Sequence, residues 1–90
     1  MIVTNIEYSK HFMRNLKKIP MEIVRVATEK EKIFKANPLH PSLKLHALKG
    51  DLLGLWSISV TMNYRIIFRR MDDGGVVFVS IGIHDIYKNL

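Results

Sequence analysis

The chain has no cysteine among its 90 residues, which removes disulfide scaffolds, thiolate zinc sites, iron–sulfur clusters and cysteine nucleophiles from consideration. Long apolar runs are missing as well. Nothing approaches the roughly 18–20 residues needed to span a bilayer, and the opening Met1-Ile2-Val3-Thr4-Asn5 lacks the basic-then-apolar order of a secretory signal. The expectation is a soluble protein of a reducing cytoplasm with no membrane partner. Nucleotide-cradling patterns are absent too: Gly50 and Gly54 have neither the spacing nor the strand-to-helix setting of a GxGxxG, P-loop or GxSxG motif. The four histidines, His11, His40, His46 and His84, form no HxH or HxxxH pair, so neither a metal nor another cofactor is expected. No convincing Ser–His–Asp order supports covalent catalysis either.

With only three prolines and five glycines, 48% hydrophobic and 24% charged residues, the composition is that of a packed globule. Ninety residues make a single domain, 1–90, and at this size folding hides roughly 60–65% of the surface an unfolded chain exposes. Acidic residues are scarce: fourteen Lys and Arg face eight Asp and Glu, a net charge of +6. Up to Gly50 the chain has ten basic and four acidic residues, and beyond it four of each, so the first part carries the whole excess. A polyanionic partner fits this bias, as does a merely solvated outer helix face.

The pattern along the chain changes once. Residues 2–6 are short and β-branched and read as a first strand. Ser9 offers an N-cap, and Phe12, Met13, Leu16 and Ile19 recur at helical spacing, predicting an amphipathic helix over 9–18. Pro20 stops it and suits the first turn of a second helix, whose apolar stripe is Ile23, Val24, Ala27 and Phe34 and which ends at Asn37-Pro38. So short a link predicts an antiparallel helical hairpin. Residues 55–62, 64–70 and 76–84 then alternate as strands, with Asp72-Asp73-Gly74-Gly75 as a hairpin turn between the last two. The predicted fold is α+β: an N-terminal strand and a two-helix hairpin packed on one face of a small, mainly antiparallel sheet. Alternation in the last strand places Val77, Val79, Ile81 and Ile83 on the helices. The other face then collects Ser57, Ser59, Thr61, Arg65, Arg69, Phe78, Ser80 and His84.

Arg65 and Arg69 share one strand on that predicted open face, where guanidiniums can grip phosphate; solvated surface arginines are the plainer reading. His84 stands where the last strand ends, beside Asp85 and three residues before Tyr87. A neutral imidazole there can take a proton from a hydroxyl or return one to a leaving oxygen. His46 precedes Leu48-Lys49-Gly50 and brings an imidazole and an ammonium to the edge of the same face. Lys44, Lys49 and Arg69 are the candidates to bind substrate. His11 is expected in solvent, His40 is a loop residue without assignable chemistry, and Trp56 reads as core. Phe78 reads as a base-stacking or rim-packing aromatic.

Six segments in order carry a resemblance. They are Phe12 with Leu16-Lys17-Lys18-Ile19-Pro20, then Asn37-Pro38-Leu39-His40-Pro41, His46-Ala47-Leu48-Lys49-Gly50, Gly54-Leu55-Trp56-Ser57, Tyr64-Arg65-Ile66-Ile67-Phe68, and Ile81-Gly82-Ile83-His84-Asp85-Ile86-Tyr87. Over nearly its whole length the chain resembles the RelE/ParE superfamily of toxins from type II toxin–antitoxin systems, and within it the RelE-like branch of ribosome-dependent endoribonucleases that cut mRNA. The resemblance implies that Arg65 stabilises the scissile phosphate, that His84 occupies the last-strand catalytic position, and that Tyr87 positions RNA or assists proton transfer. It also implies that His46 and Lys49 contribute a base or charge. Asn63 stands where one histidine-using branch carries an aspartate, and Ser59 where that branch carries another histidine. The implied partners are a cognate antitoxin, mRNA on the ribosome, and operator DNA only through the antitoxin. The alternatives are a ParE-like gyrase inhibitor acting through the helical hairpin and a degenerate toxin that binds only its antitoxin.

Overall fold

The computed structural model describes residues 1–83. Its elements in chain order are β1 (Ile6–Tyr8), α1 (Lys10–Leu16), α2 (Met21–Ala36), β2 (His46–Ala47), β3 (Leu55–Ser59), β4 (Tyr64–Arg70) and β5 (Val76–Ile83), with short 3₁₀ turns at Pro41–Leu43 and Gly50–Leu52. The five strands form one sheet in the order β1-β5-β4-β3-β2. Every pairing is antiparallel except β1 with β5, which is parallel. This is the expected α+β arrangement, two helices on a mixed sheet.

The helix boundaries follow local chemistry. Ser9 caps α1, its hydroxyl accepting from the Phe12 amide at 2.9 Å, which satisfies one of the orphan donors of the first turn. Pro20 opens α2 by offering its carbonyl to the amides of Ile23 and Val24. Asn37 closes it in an extended conformation, and its side-chain oxygen accepts from the Leu39 amide at 3.2 Å, a local bond that competes with a further helical turn.

The core lies between the helices and one sheet face. All four phenylalanines meet there: Phe34 stands edge-on to Phe68 with centroids 4.9 Å apart, and Phe78 touches Phe12, Phe34 and Phe68 at 5.5, 5.9 and 6.4 Å. Such tilted contacts suit the quadrupoles of aromatic rings. Trp56 is only half-buried; it packs against this cluster and carries the Arg70 guanidinium over its ring at 5.5 Å.

Three expectations are corrected. The first strand is Ile6–Tyr8 and not 2–6, because residue 6 is the first whose partner, Val76, lies on β5. Phe78 is a core residue, 1% exposed, and not a residue of the open face. Its partner is Phe68, whereas Ile67 pairs with Ser80, so Val79 is an extra residue in a β-bulge. The bulge resets the alternation, and both Phe78 and, beyond it, Ile81 reach the helix-side core. Finally, Ser57, Ser59 and Ser80 are buried: the Ser80 hydroxyl donates to Asn15 Oδ1 of α1 at 2.8 Å, whereas Ser57 and Ser59 lie on the helix-free face. A second small cluster shades that face, with Leu48, Leu52 and Leu55 packed around a fully buried Ile67.

Candidate active site

Register places the functional candidates on a lattice. Paired residues share a face, so the helix-free face carries three rows across the strands: Ser59–Arg65–Gly82, then His46–Ser57–Ile67, then Leu55–Arg69–Val77. His46 sits on the edge strand, exposed, in the middle row. Arg65 lies one row and two strands away, roughly 12 Å between backbones at ordinary strand spacings. Arg69 lies four residues beyond Arg65 on the same strand, about 13 Å along it, with Ile67 between them.

The guanidinium of Arg65 is turned to the β3–β4 connection. Its Nη1 donates to the carbonyls of Thr61 (2.7 Å), Met62 (3.0 Å) and Tyr64 (3.1 Å). No other described residue takes its Nε or Nη2 hydrogens, which an arginine can present to an anion as a fork. Arg65 is thus a clamp on the turn as well as a cation on the face. Arg69 is exposed at the far end, opposite Leu55 and Val77, so the two arginines mark opposite ends of the face. Lys49 is exposed and stands before the turn Gly50–Leu52, its carbonyl accepting from the Leu52 amide at 3.2 Å. The Ser57 hydroxyl, directly opposite His46, is buried and has no hydrogen-bond partner among the described residues.

The loop before β2 orders two imidazoles. The His40 Nδ1 accepts from the Ser42 amide at 3.2 Å and meets the Ser42 hydroxyl at 2.9 Å, so His40 caps the turn Pro41–Leu43. Sequence reasoning assigned this residue no chemistry. The available signal was a polar side chain directly before proline, the usual order of a cap and first helical position. His46 Nδ1 lies 3.3 Å from the Lys44 carbonyl. Lys44 is exposed and ends that turn in the left-handed region, φ 48° and ψ 46°. His84 and Tyr87 lie outside the described residues.

A second feature lies on the opposite side of the sheet. Between α1 and α2 is a cavity of about 170 Å³, floored by Phe12, Ile66 and Phe78 and walled by Leu16, Val24 and Ala27. At its rim the Tyr8 hydroxyl donates to Glu31 of α2, while the Tyr8 ring stacks on Phe12 at 5.5 Å. Burial, and then the Glu31 carboxylate that accepts from and faces the phenol, push the Tyr8 pKa up to about 12. Sequence periodicity did not foresee this contact, which joins residues 23 positions apart. The neighbouring α1 is strongly cationic: Lys10 and Arg14 lie on it and Lys17 and Lys18 follow, with no acidic residue in its first turn.

Among the described residues no helix is long and apolar enough to cross a membrane. Neither a protein-family model nor a curated protein sequence matches the chain. Solved structures do. A YoeB/ParE toxin from Agrobacterium tumefaciens superposes with a TM-score of 0.75 at 19% identity, covering 90% of this chain and 99% of that one. The toxin–antitoxin complex RelBE2 from Mycobacterium tuberculosis gives 0.76 at 21% identity over 92% and 100%. The DinJ–YafQ toxin–antitoxin complex from E. coli gives 0.67 at 24% identity over 93% and 96%. Near-complete coverage of both chains in each comparison means that the whole described architecture is shared: the chain has the fold of the RelE/ParE superfamily of toxins.

Proposed function

We propose that the chain is the toxin of a type II toxin–antitoxin system and acts as a ribosome-dependent endoribonuclease on mRNA. The observation that carries this reading is the exposed His46, held by its Nδ1 on the helix-free face of a toxin fold. An imidazole so held can take the proton from an RNA 2′-hydroxyl. The 2′-oxygen then attacks the adjacent phosphorus, the bond to the 5′-oxygen breaks, and an acid returns a proton to that departing oxygen. The products are a 2′,3′-cyclic phosphate and a free 5′-hydroxyl. His84 is the second imidazole of this scheme, and the two divide the roles of base and acid. Arg65, through its Nε–Nη2 edge, stabilises the extra negative charge on the phosphorus oxygens, and charge aimed in this way supplies the greater part of the rate gain in many enzymes. Lys44, Lys49 and Arg69 hold neighbouring phosphates, and Tyr87 positions the RNA. The chemistry uses proton transfer and charge alone and takes no cofactor.

The partner in this reading is an acidic antitoxin, whose charge complements the +6 of the chain. It contacts operator DNA, and the toxin does so only through it. The test is to induce the chain from a tightly repressed promoter and map mRNA 5′ ends within minutes. Cuts inside translated codons, lost in His46→Ala and in His84→Ala, are expected. Intact mRNA in the wild type would overturn the nuclease reading. A second reading, gyrase inhibition by protein contact, is favoured by the cationic α1 beside an apolar cavity. In that case replication stops first and both histidine substitutions are harmless. Normal growth at any expression level would leave a toxin that only binds its antitoxin.

A further inference from the structure

Two histidines six positions apart are held at Nδ1 by groups of opposite kind. A carbonyl oxygen can only accept, so the contact between His46 Nδ1 and the Lys44 carbonyl requires the hydrogen on Nδ1 and, in the neutral ring, a lone pair on Nε2. A backbone amide can only donate, so the bond from the Ser42 amide to His40 Nδ1 calls for the reverse, with the hydrogen on Nε2 and the Ser42 hydroxyl, 2.9 Å from Nδ1, donating as well. His40 therefore spends its accepting nitrogen on the turn, whereas His46 keeps its own for an incoming proton.

The carbonyl that makes the difference belongs to Lys44, the one non-glycine residue with positive φ among the described residues. L side chains rarely adopt this conformation, and it persists where surrounding structure enforces it. Here the turn Pro41–Leu43 ends on Lys44, whose amide donates to the Pro41 carbonyl at 3.2 Å. The reversal at Lys44 presents its carbonyl to the side chain two residues on. We infer that Lys44 is a positioning residue: its left-handed main chain locks His46 in the Nδ1–H tautomer, leaving Nε2 as the proton-accepting atom of the helix-free face. This deepens the nuclease reading and rests on it for the role of His46, but the lock itself is a property of the isolated protein.

The experiment is long-range nitrogen–proton NMR on ¹⁵N-labelled protein at a pH where imidazole is neutral, with the rings assigned by His40→Gln and His46→Gln. The wild type is expected to show His46 protonated on Nδ1 and His40 on Nε2. Lys44→Gly, which favours positive φ, should keep the His46 tautomer; with the ammonium gone, codon cutting should fall by less than about tenfold. Lys44→Val, whose branched side chain opposes that backbone, should leave His46 in mixed tautomers and lower cutting by about a hundredfold, the lower end of what a general base contributes. A wild-type His46 carrying its hydrogen on Nε2 would overturn the inference. So would a Lys44→Gly protein that keeps the tautomer yet cuts as poorly as Lys44→Val, since the ammonium would then be the acting group. If the tautomers behave as stated and the wild type cuts no mRNA, the lock stands and the nuclease reading falls.

Discussion

At the scale of single residues, Arg65 joins two duties that sequence alone separates. Spacing marks it as a cation on a sheet face. The structure adds three carbonyls of the β3–β4 connection around its Nη1. Bonds from a charged donor to carbonyls stabilise more than neutral ones, and in this half-buried position Arg65→Ala should cost about 1–2 kcal/mol. A urea denaturation midpoint, read beside the growth assay, checks this. An unchanged midpoint would show that the clamp contributes nothing to the fold. In the proposed nuclease reading, only growth inhibition lost beyond that stability loss would report on phosphate binding by Arg65. Residue identity was legible here, because strand alternation put Arg65 on the helix-free face. The partners of its Nη1 were not, since they are backbone atoms of a turn whose shape no side-chain pattern encodes.

At the scale of elements, the helices and the last hairpin were readable because their signals are local. Ser9, Pro20 and Asn37 act within four residues of themselves, and Asp72-Asp73-Gly74-Gly75 closes its own turn, with the Asp73 carboxylate accepting from the Gly75 amide at 2.9 Å. The β5 bulge and the start of β1 were unreadable for the opposite reason: each is decided by a partner strand. Ile6 begins a strand because Val76 lies beside it, and Val79 is unpaired because Phe68 takes Phe78. The buried serines were unreadable for the same reason: Ser57 lies beside Ile67 of the small leucine cluster, and the Ser80 hydroxyl donates to Asn15 Oδ1 of α1 at 2.8 Å, a contact across 65 positions. Gly74 shows local and distant constraints acting together. It has φ +89° and a Cβ there would stand 3.0 Å from Thr4 Cγ2. Gly50, at φ +64°, has nothing within 4 Å of that position. Gly74→Ala should therefore destabilise by about 2 kcal/mol and Gly50→Ala by about 1 kcal/mol, compared as denaturation midpoints. Equal losses would mean that backbone strain alone matters and the Thr4 contact does not.

At the scale of the whole molecule, the two faces of the sheet have separate tasks. One supports the helices and the 170 Å³ cavity; the other presents His46, Arg65 and Arg69. The Tyr8–Glu31 bond ties the outer strand β1 to α2 across the cavity rim. Because burial and Glu31 raise the Tyr8 pKa from 10.0 to about 12, the tie is fully present below pH 10 and is lost as pH rises through about 12. Alkaline absorbance titration should show a late phenolate step in the wild type that Tyr8→Phe removes. A Tyr8 phenolate that forms near pH 10 would mean that the tie does not form.

The parallel pairing of β1 with β5 has a consequence for how the molecule comes into being. Residues 6–8 find their partners only at 76–78, and the same stretch supplies Phe78, on which α1 and α2 close the core. During synthesis the helices are made long before the strand that seats them, and contacts of such sequence separation are slow to form and leave apolar surface exposed meanwhile. A nascent chain halted before Val76 has β3 and β4 to set against Phe34 but lacks the strand that joins β1 to them and carries Phe78. If the chain acts on ribosomes as proposed, it can do so only after residues 76–83 have been made and have joined β1 to β4.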